Sequence, residues 1–441
     1  MYHGRVFNWT PDPANMLGGR LTAALMPLDR LNANCEGLSR LCGRYVCVRN
    51  GGAVNKLNRV TGKVIATPIG NARPNSDGEF VFNIRSGGGR VDKTELVKDK
   101  FLWRYIQASH FGEVNSYFHI DRMAAYIDEL LRELGASSLP QVKAVVNAHH
   151  AATESNGLRD GLWRSERWLP FQGGHYRLPA RSYDLWEPEP ISTDGEIHLG
   201  PGWQLLDHGA LVEAAGRRYR ANASHNPGII YHEYGHHIAR HTADFRANAL
   251  RLPDRQNNRK PAIDEAICDY WTATMLGTPH IWACHRRHDE QEIHPRSLSS
   301  PKTMLDYDYN PGADPHTNGT IWAAALWDLR TQVLAADPIG ARKTDLLVLK
   351  SLLLVGQLTG DEQEVSIAGI RRARASYSTN LKALLRADEL LFEGTHQAII
   401  REVFFRRGIK IESDRLQNAA LTRTNGSLET SGRLREVLHG I

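Results

Sequence analysis

The stretch GIIYHEYGHHIARH, residues 228–241, constrains this chain more than any other. It packs four histidines and one glutamate into about four helical turns. Asn226 is a natural N-cap and Pro227 suits the first helical position, so the spacing predicts a helix from here. Residues four apart on a helix share a face. His232 and His236 can therefore present both imidazoles to one point. Glu233 sits one position round, where it can reach a water at that point without being a ligand. This is the H-E-x-x-H arrangement of a metal-assisted hydrolase. His237 and His241 form a second such pair on another side with no following Glu, and are expected to support the site or lie at the surface. The competing reading is a basic, solvated helix face. With 20 histidines in 441 residues the motif can arise by chance, so a third ligand must decide.

A second predicted helix supplies a candidate. PAIDEAICDYWTATML starts at Pro261 and stops before Gly277, a residue suited to closing a helix. Glu265 and Asp269 lie on one face, with Ile263, Ile267 and Tyr270 on the other side. Two carboxylates on so apolar a helix are costly if buried without partners. Pointing both at solvent is the plain alternative. The metal reading gives each a partner: Glu265 as third ligand, Asp269 on the outer nitrogen of one ligand histidine, and Asp264 on the other. A zinc ion with three protein ligands and one open position lowers the pKa of water to about 7, and a neighbouring carboxylate can accept the proton.

Together, HEYGH, AIDEAICDYW and PHTNGTIW resemble the thermolysin-type gluzincins, and among them the fungalysin-like branch. The resemblance covers residues 105 to 410 or so. NSYFHIDRMAAYIDELLRELG is similar to the family's helix ahead of the first strand. TDLLVLKSLLL and ADELLFEGTHQAIIREVFFRRGI are similar to the helical C-terminal half of the fungalysin-like members. The resemblance implies an α+β, thermolysin-like fold of two subdomains, with the active-site helix between them. It implies zinc held by His232, His236 and Glu265, and Glu233 as general base. It implies Asp269 orienting the first histidine and His316 stabilising the transition state, backed by Asp314, Asp308 or Asp306. The substrate-aligning Asn of the family's edge strand is matched loosely by Asn156 in TESNGLRDG. The implied activity is a zinc-dependent endopeptidase acting on peptides or proteins, favouring bulky apolar residues just after the cut.

There are departures. Glu265 follows His236 by 29 residues, a longer connection than in thermolysin, which implies an inserted loop. Family members are usually secreted with a signal and a long inhibitory propeptide. Neither is visible in MYHGRVFNWTPDPANML or in the residues after it, which leaves the compartment open. The alternative function is therefore a catalytically silent zinc-binding or structural protein of the same fold. Against it stand Glu233 and His316, which such a protein has no physical reason to keep. An exopeptidase would carry an acidic amine-binding motif ahead of H-E-x-x-H, and none is found.

The rest of the chain divides by pattern. Residues 1–105 read as a β-rich N-terminal region, with RYVCVRN and EFVFNIR as strands between turn clusters. Residues 106–245 read as a mixed α/β catalytic subdomain: a helix over EVNSYFHIDRMAAYIDELLRELG ending at Gly135, strands in QVKAVVNA and GEIHLGPG, then the H-E-x-x-H helix. Residues 246–410 read as a helical subdomain, with a helix starting near Asn318. Residues 411–441 read as a polar tail. Trp163, Trp168, Trp186 and Trp203 fall in a loop-rich stretch, where they are expected to pack the loops. Five cysteines in no C-x-x-C spacing argue against a disulfide framework or a thiolate metal site, although Cys42 and Cys47 could pair across a turn. A net charge of +5 does not call for nucleic acid, and no apolar run is long enough to span a membrane.

Overall fold

The computed structural model describes residues 2–32 without 13 and 16, 41–82 without 52 and 58–63, 99–151, 168–170, 173–179, 191–200, 206–207, 210–211, 222–285, 296–333, 340–358 and 366–411. Asn156, Cys35, Trp163, Trp186, Trp203 and the tail from residue 412 lie outside the described residues, as do the side chain of Trp168 and the last three residues of EFVFNIR. The chain forms two units. One comprises Met1–Tyr126, Leu139–Tyr234 and Ala283–Gln291; the other comprises Ile127–Ser138, Gly235–Trp282 and Glu292–Ile441. The architecture is α+β, with strands gathered towards the N-terminus and helices towards the C-terminus.

The first unit is built on strands. A hairpin pairs β1 (His3–Pro11) with β2 (Gly19–Pro27). The main sheet uses β3 (Leu41–Cys42) and β4 (Val46–Asn50). β5 (Glu79–Phe80), all that forms a strand in the described part of EFVFNIR, joins β1 in parallel. β6 (Val142–Val146), β7 (Gly174–Arg177) and β8 (Glu196–Leu199) complete the main sheet. Its order is β7-β8-β6-β4-β3. β8, β6 and β4 run parallel, and β7 and β3 flank them antiparallel. Parallel strands are buried on both faces, which explains why VKAVV and EIHL read as runs rather than alternations. Val142, Ala144, Val146, Ile197 and Leu199 are fully buried. β4 comes from the N-terminal region and β6 from beyond residue 105, so one sheet draws on both. Cys42 and Cys47 stand opposite each other in the β3–β4 register but are not joined by a disulfide.

Helix α1 (Asp99–Glu133) buries Phe111, Val114, Tyr117, Ile120, Ala124, Ile127 and Leu131 at three- and four-residue spacing. It begins well before the predicted start and ends as expected at Gly135, which turns with φ 66°. Two of its polar residues reach outward from the core to the hairpin. The Phe7 N–H donates to Asn115 Oδ1 at 2.8 Å. His119 Nε2 lies 2.7 Å from the Phe7 carbonyl, which can only accept, so the ring proton is on that nitrogen. Nδ1 then accepts from the Tyr231 hydroxyl at 2.7 Å. By the same logic His225 donates to the Ala108 carbonyl at 2.7 Å.

Burial pushes the His119 ring down to about 3 and the His225 ring down to about 4. Both are neutral in the folded protein, whereas in the unfolded chain they titrate near 6.5. Below that value the unfolded chain takes up protons that the folded one refuses. Their contribution to stability is complete above pH 6.5 and is lost as the pH falls towards 4. The expected slope is about 1.4 kcal/mol per pH unit for each histidine. Urea unfolding between pH 7 and 4 measures it. A stability independent of pH across that range would contradict the assigned tautomers and their burial.

The second unit is helical. It takes the end of α2 (Pro227–His241), then α3 (Ala262–Leu276) and α4 (Pro315–Asp328). α5 (Gly340–Gly356), α6 (Ile367–Ala375), α7 (Tyr377–Phe392) and α8 (Gln397–Arg406) follow. α3 is capped by Pro261 rather than starting with it, and closes at Gly277 with φ 68°. α4 begins three residues ahead of the predicted start, because Asp-Pro supplies a cap and a first-turn proline together. Two glycines allow close helix crossings. A methyl group on Gly235 of α2 would lie 2.7 Å from Cys268 Cα in α3. One on Gly319 of α4 would lie 2.6 Å from the Ala262 carbonyl oxygen at the start of α3. No helix among the described residues is long and apolar enough to cross a membrane.

Candidate metal centre

α2 positions the first residues. Asn226 Oδ1 accepts the Gly228 and Ile229 N–H groups at 2.9 and 3.3 Å, which caps the helix at the predicted place. His232 and His236 follow one turn apart, both buried, with a ring nitrogen of each within 4.8 Å of the other. Glu233 is buried as well. In the first unit it lies against the edge strand β7, so closely that a methyl group on Gly174 would be 2.6 Å from its Cγ and 2.9 Å from Oε1. His237 is buried and its ring packs on His241 at 4.5 Å, inside the fold rather than at its surface.

The second unit builds outward from His236. Its Nδ1 lies 2.8 Å from Asp264 Oδ1, as the one-helix spacing of Asp264 and Glu265 allows. The other Asp264 oxygen is 3.3 Å from Arg246 Nε, and both side chains are only 2% exposed. Burial alone would raise the Asp264 carboxyl. The neighbouring His236 ring, with the hydrogen bond it gives, and the Arg246 guanidinium overcome it and hold Asp264 below the usual carboxylate range. The Cys268 thiol also touches His236 Nδ1, at 3.0 Å. On the far side of the ring, Nε2 lies 3.3 Å from Glu265 Oε2. The same Glu265 oxygen is 3.1 Å from His316 Nε2.

His316 owes its position to the start of α4. Asp314 caps the helix by accepting the His316 N–H at 3.1 Å, and also takes the ring at Nδ1 at 2.7 Å. Burial works against the Asp314 charge, but the His316 ring, its backbone N–H and Thr317 together hold the carboxyl below its ordinary range. Of the three carboxylates open as partners of His316, Asp314 is therefore the one that touches it. Asp306 closes a capping box with Thr303, and Asp308 accepts from Asn310. Asp269 is fully buried and receives the two-pronged fork of Arg296 at 2.6 and 3.0 Å.

Sequence reasoning missed three contributors. Arg246 and Arg296 hold Asp264 and Asp269, but no local spacing marks either arginine. Gly174 makes room for Glu233, and its only signal is a glycine pair ahead of a short strand. β7 is an edge strand of the main sheet, and Asn156 lies outside the described residues. Replacing Gly174 by Ala is expected to lower kcat about tenfold to a hundredfold, since a displacement near 1 Å of a reacting group costs that much. Bound metal should be unchanged. Steady-state kinetics beside metal analysis tests this, and an unaltered kcat would show that the glycine is not needed.

The donor set fits a metal ion. With Nδ1 donating to Asp264, His236 keeps its lone pair at Nε2, which faces a carboxylate oxygen. Two acceptors at 3.3 Å call for a cation between them, a proton or a metal. Imidazole and carboxylate donors are of the kind that a three-ligand metal site with one open position uses. Of known families, the model described as fungalysin metallopeptidase (M36) matches residues 101–413. A search of curated proteins finds no match to the chain.

Proposed function

The chain belongs to the fungalysin metallopeptidase family, a family of hydrolases acting on peptide bonds, and from that premise we propose that it is a zinc-dependent endopeptidase of proteins. The observation that carries the reading is the run of contacts Asp264–His236–Glu265–His316, with His232 one turn from His236 on the same helix. His232, His236 and Glu265 would hold the ion. Nitrogen and carboxylate donors in this number favour zinc. When bound, zinc supplies Lewis acidity to a scissile carbonyl and to water.

The protein's own groups do the rest. Glu233 takes the proton of the attacking water and returns it to the departing amine nitrogen. Its burial against Gly174 restrains the side chain. His316, held by Asp314, donates to the substrate oxygen as charge develops there, and such donors are worth about 3 kcal/mol in related chemistry. Asp264 and Asp269 fix the ligand histidines in one tautomer and orientation, and Arg246 and Arg296 fix the two carboxylates.

Metal removal tests the proposal. Purified protein is expected to carry about one equivalent of zinc and to cleave casein. Dialysis against a chelator should abolish cleavage, and added zinc should restore it. Zinc bound without any cleavage of casein or of denatured proteins would sink the endopeptidase reading. Failure to bind zinc at all would sink the ligand assignment.

A further inference from the structure

The connection between α2 and α3 is a folded segment, and it gathers positive charge beside the site. Asp244 organises it by accepting the Asn248 and Ala249 N–H groups at 3.0 and 2.8 Å. Asn248 then exchanges hydrogen bonds with the backbone of Asn257, at 3.0 and 2.8 Å. Arg374 of α6 binds the Asp244 carbonyl at 3.1 Å, which draws α6 to this segment. Arg371 stands one turn before Arg374 on the same helix. These contacts bring the segment that carries Arg246, Arg251 and Arg259 against the helix that carries Arg371.

Their charges are not equally answered. Arg246 has Asp264. The Arg259 guanidinium donates to the Pro311 carbonyl at 2.7 Å, a neutral acceptor. Among the described residues, no carboxylate or hydrogen-bond acceptor meets the guanidinium of Arg251 or of Arg371, and Arg251 Nε is buried. Burial and the charges of Arg251, Arg259 and Arg246 press the Arg371 guanidinium below its ordinary range. Guanidinium groups held together in this way favour an anion, and their planar forks suit a carboxylate. The segment that carries Arg259 also reaches towards the proposed site. Lys260 Nζ lies 4.0 Å from Glu265 Oε1, and Pro311, the partner of Arg259, belongs to the loop leading to His316.

We propose that Arg251, Arg259 and Arg371 form a subsite that takes an acidic side chain of the protein substrate beside the metal centre. The proposal rests on the peptidase reading for its ligand. It favours a peptide carboxylate over nucleic acid because three arginines are few for a polyanion and the whole chain carries a net charge of only +5.

The test uses the full chain in the Glu233→Gln background, so that the probe is not consumed. Fluorescence anisotropy compares a labelled Glu-Gly hexapeptide with its Gln-Gly counterpart. The acidic peptide is expected to bind about tenfold more tightly at low salt, with the contrast shrinking as salt screens it. Arg251→Gln with Arg371→Gln should erase the contrast. With Glu233 present, that double variant should cleave a neutral fluorogenic peptide within about twofold of wild type, and lose about tenfold in kcat/KM on a peptide with Glu near the cut. Equal affinities in the parent protein, or a preference that survives in the double variant, would overturn the proposal. So would tighter binding of an equally charged oligothymidylate. If no peptide is cleaved by the parent protein, the endopeptidase reading fails, while the anisotropy contrast still decides the subsite.

Discussion

Glu233→Gln is expected to lower kcat/KM on peptide substrates by between about 10² and 10⁴-fold, the usual worth of a positioned general base. Bound zinc and thermal stability should be nearly unchanged. Gln has the shape of Glu and can sit against Gly174 in the same space, so packing is kept. What disappears is the capacity to hold a proton between water and amine. Glu233 is buried, so bulk solvent is poorly placed to take over the proton transfer. The measurement is kinetics beside metal analysis on both proteins. A variant within about tenfold of wild type would mean that another group carries the proton. A variant that loses its zinc would mean that Glu233 belongs to the ligand set.

The second large effect concerns Asp264, which touches both His236, a proposed ligand, and Arg246. Asp264→Ala removes the acceptor of His236 Nδ1 and leaves Arg246, itself 2% exposed, as a buried charge without its carboxylate. Breaking a buried pair in this way costs about 3–5 kcal/mol. Losing the outer partner of a ligand histidine weakens metal affinity about 10–100-fold. Asp264→Asn separates the two effects. Its side-chain oxygen still accepts from His236, so metal affinity should fall less, while the charge opposite Arg246 is gone. Asp264→Ala combined with Arg246→Met should regain much of the stability and none of the affinity. Chemical denaturation of the metal-free proteins reads the first quantity, and competition against a fluorescent chelator reads the second. A metal-free Asp264→Ala protein as stable as wild type would refute the buried-pair account.

The parts of the site that were legible in the sequence are those that one helix can hold. His232, Glu233 and His236 depend on a four-residue period, and so does the placing of Glu265 and Asp269 on one face. The side chains that secure them come from far along the chain. Arg246 and Arg296 are ordinary arginines until tertiary contacts bring them to Asp264 and Asp269. Gly174 is one glycine among 38 in the chain until β7 is laid beside Glu233. The start of α4 was within reach, since Asp314-Pro315 is a cap signal. It settles which of three carboxylates meets His316 because the residue that caps the helix also holds the ring. The pairing of β4 with β6 was not within reach. It joins residues some hundred positions apart, and runs of buried apolar residues carry no register.

That pairing governs how the protein can be divided. The family match begins at residue 101, and a fragment trimmed to it would contain the whole metal helix and every proposed ligand. It would also lack β4 and β3. β6, an interior strand in the intact sheet, would become an edge with unpaired backbone groups and fully buried valines newly exposed. Bare apolar edges recruit other chains. Such a fragment would self-associate for want of a neighbouring strand, and its inactivity would say nothing about the chemistry of the centre.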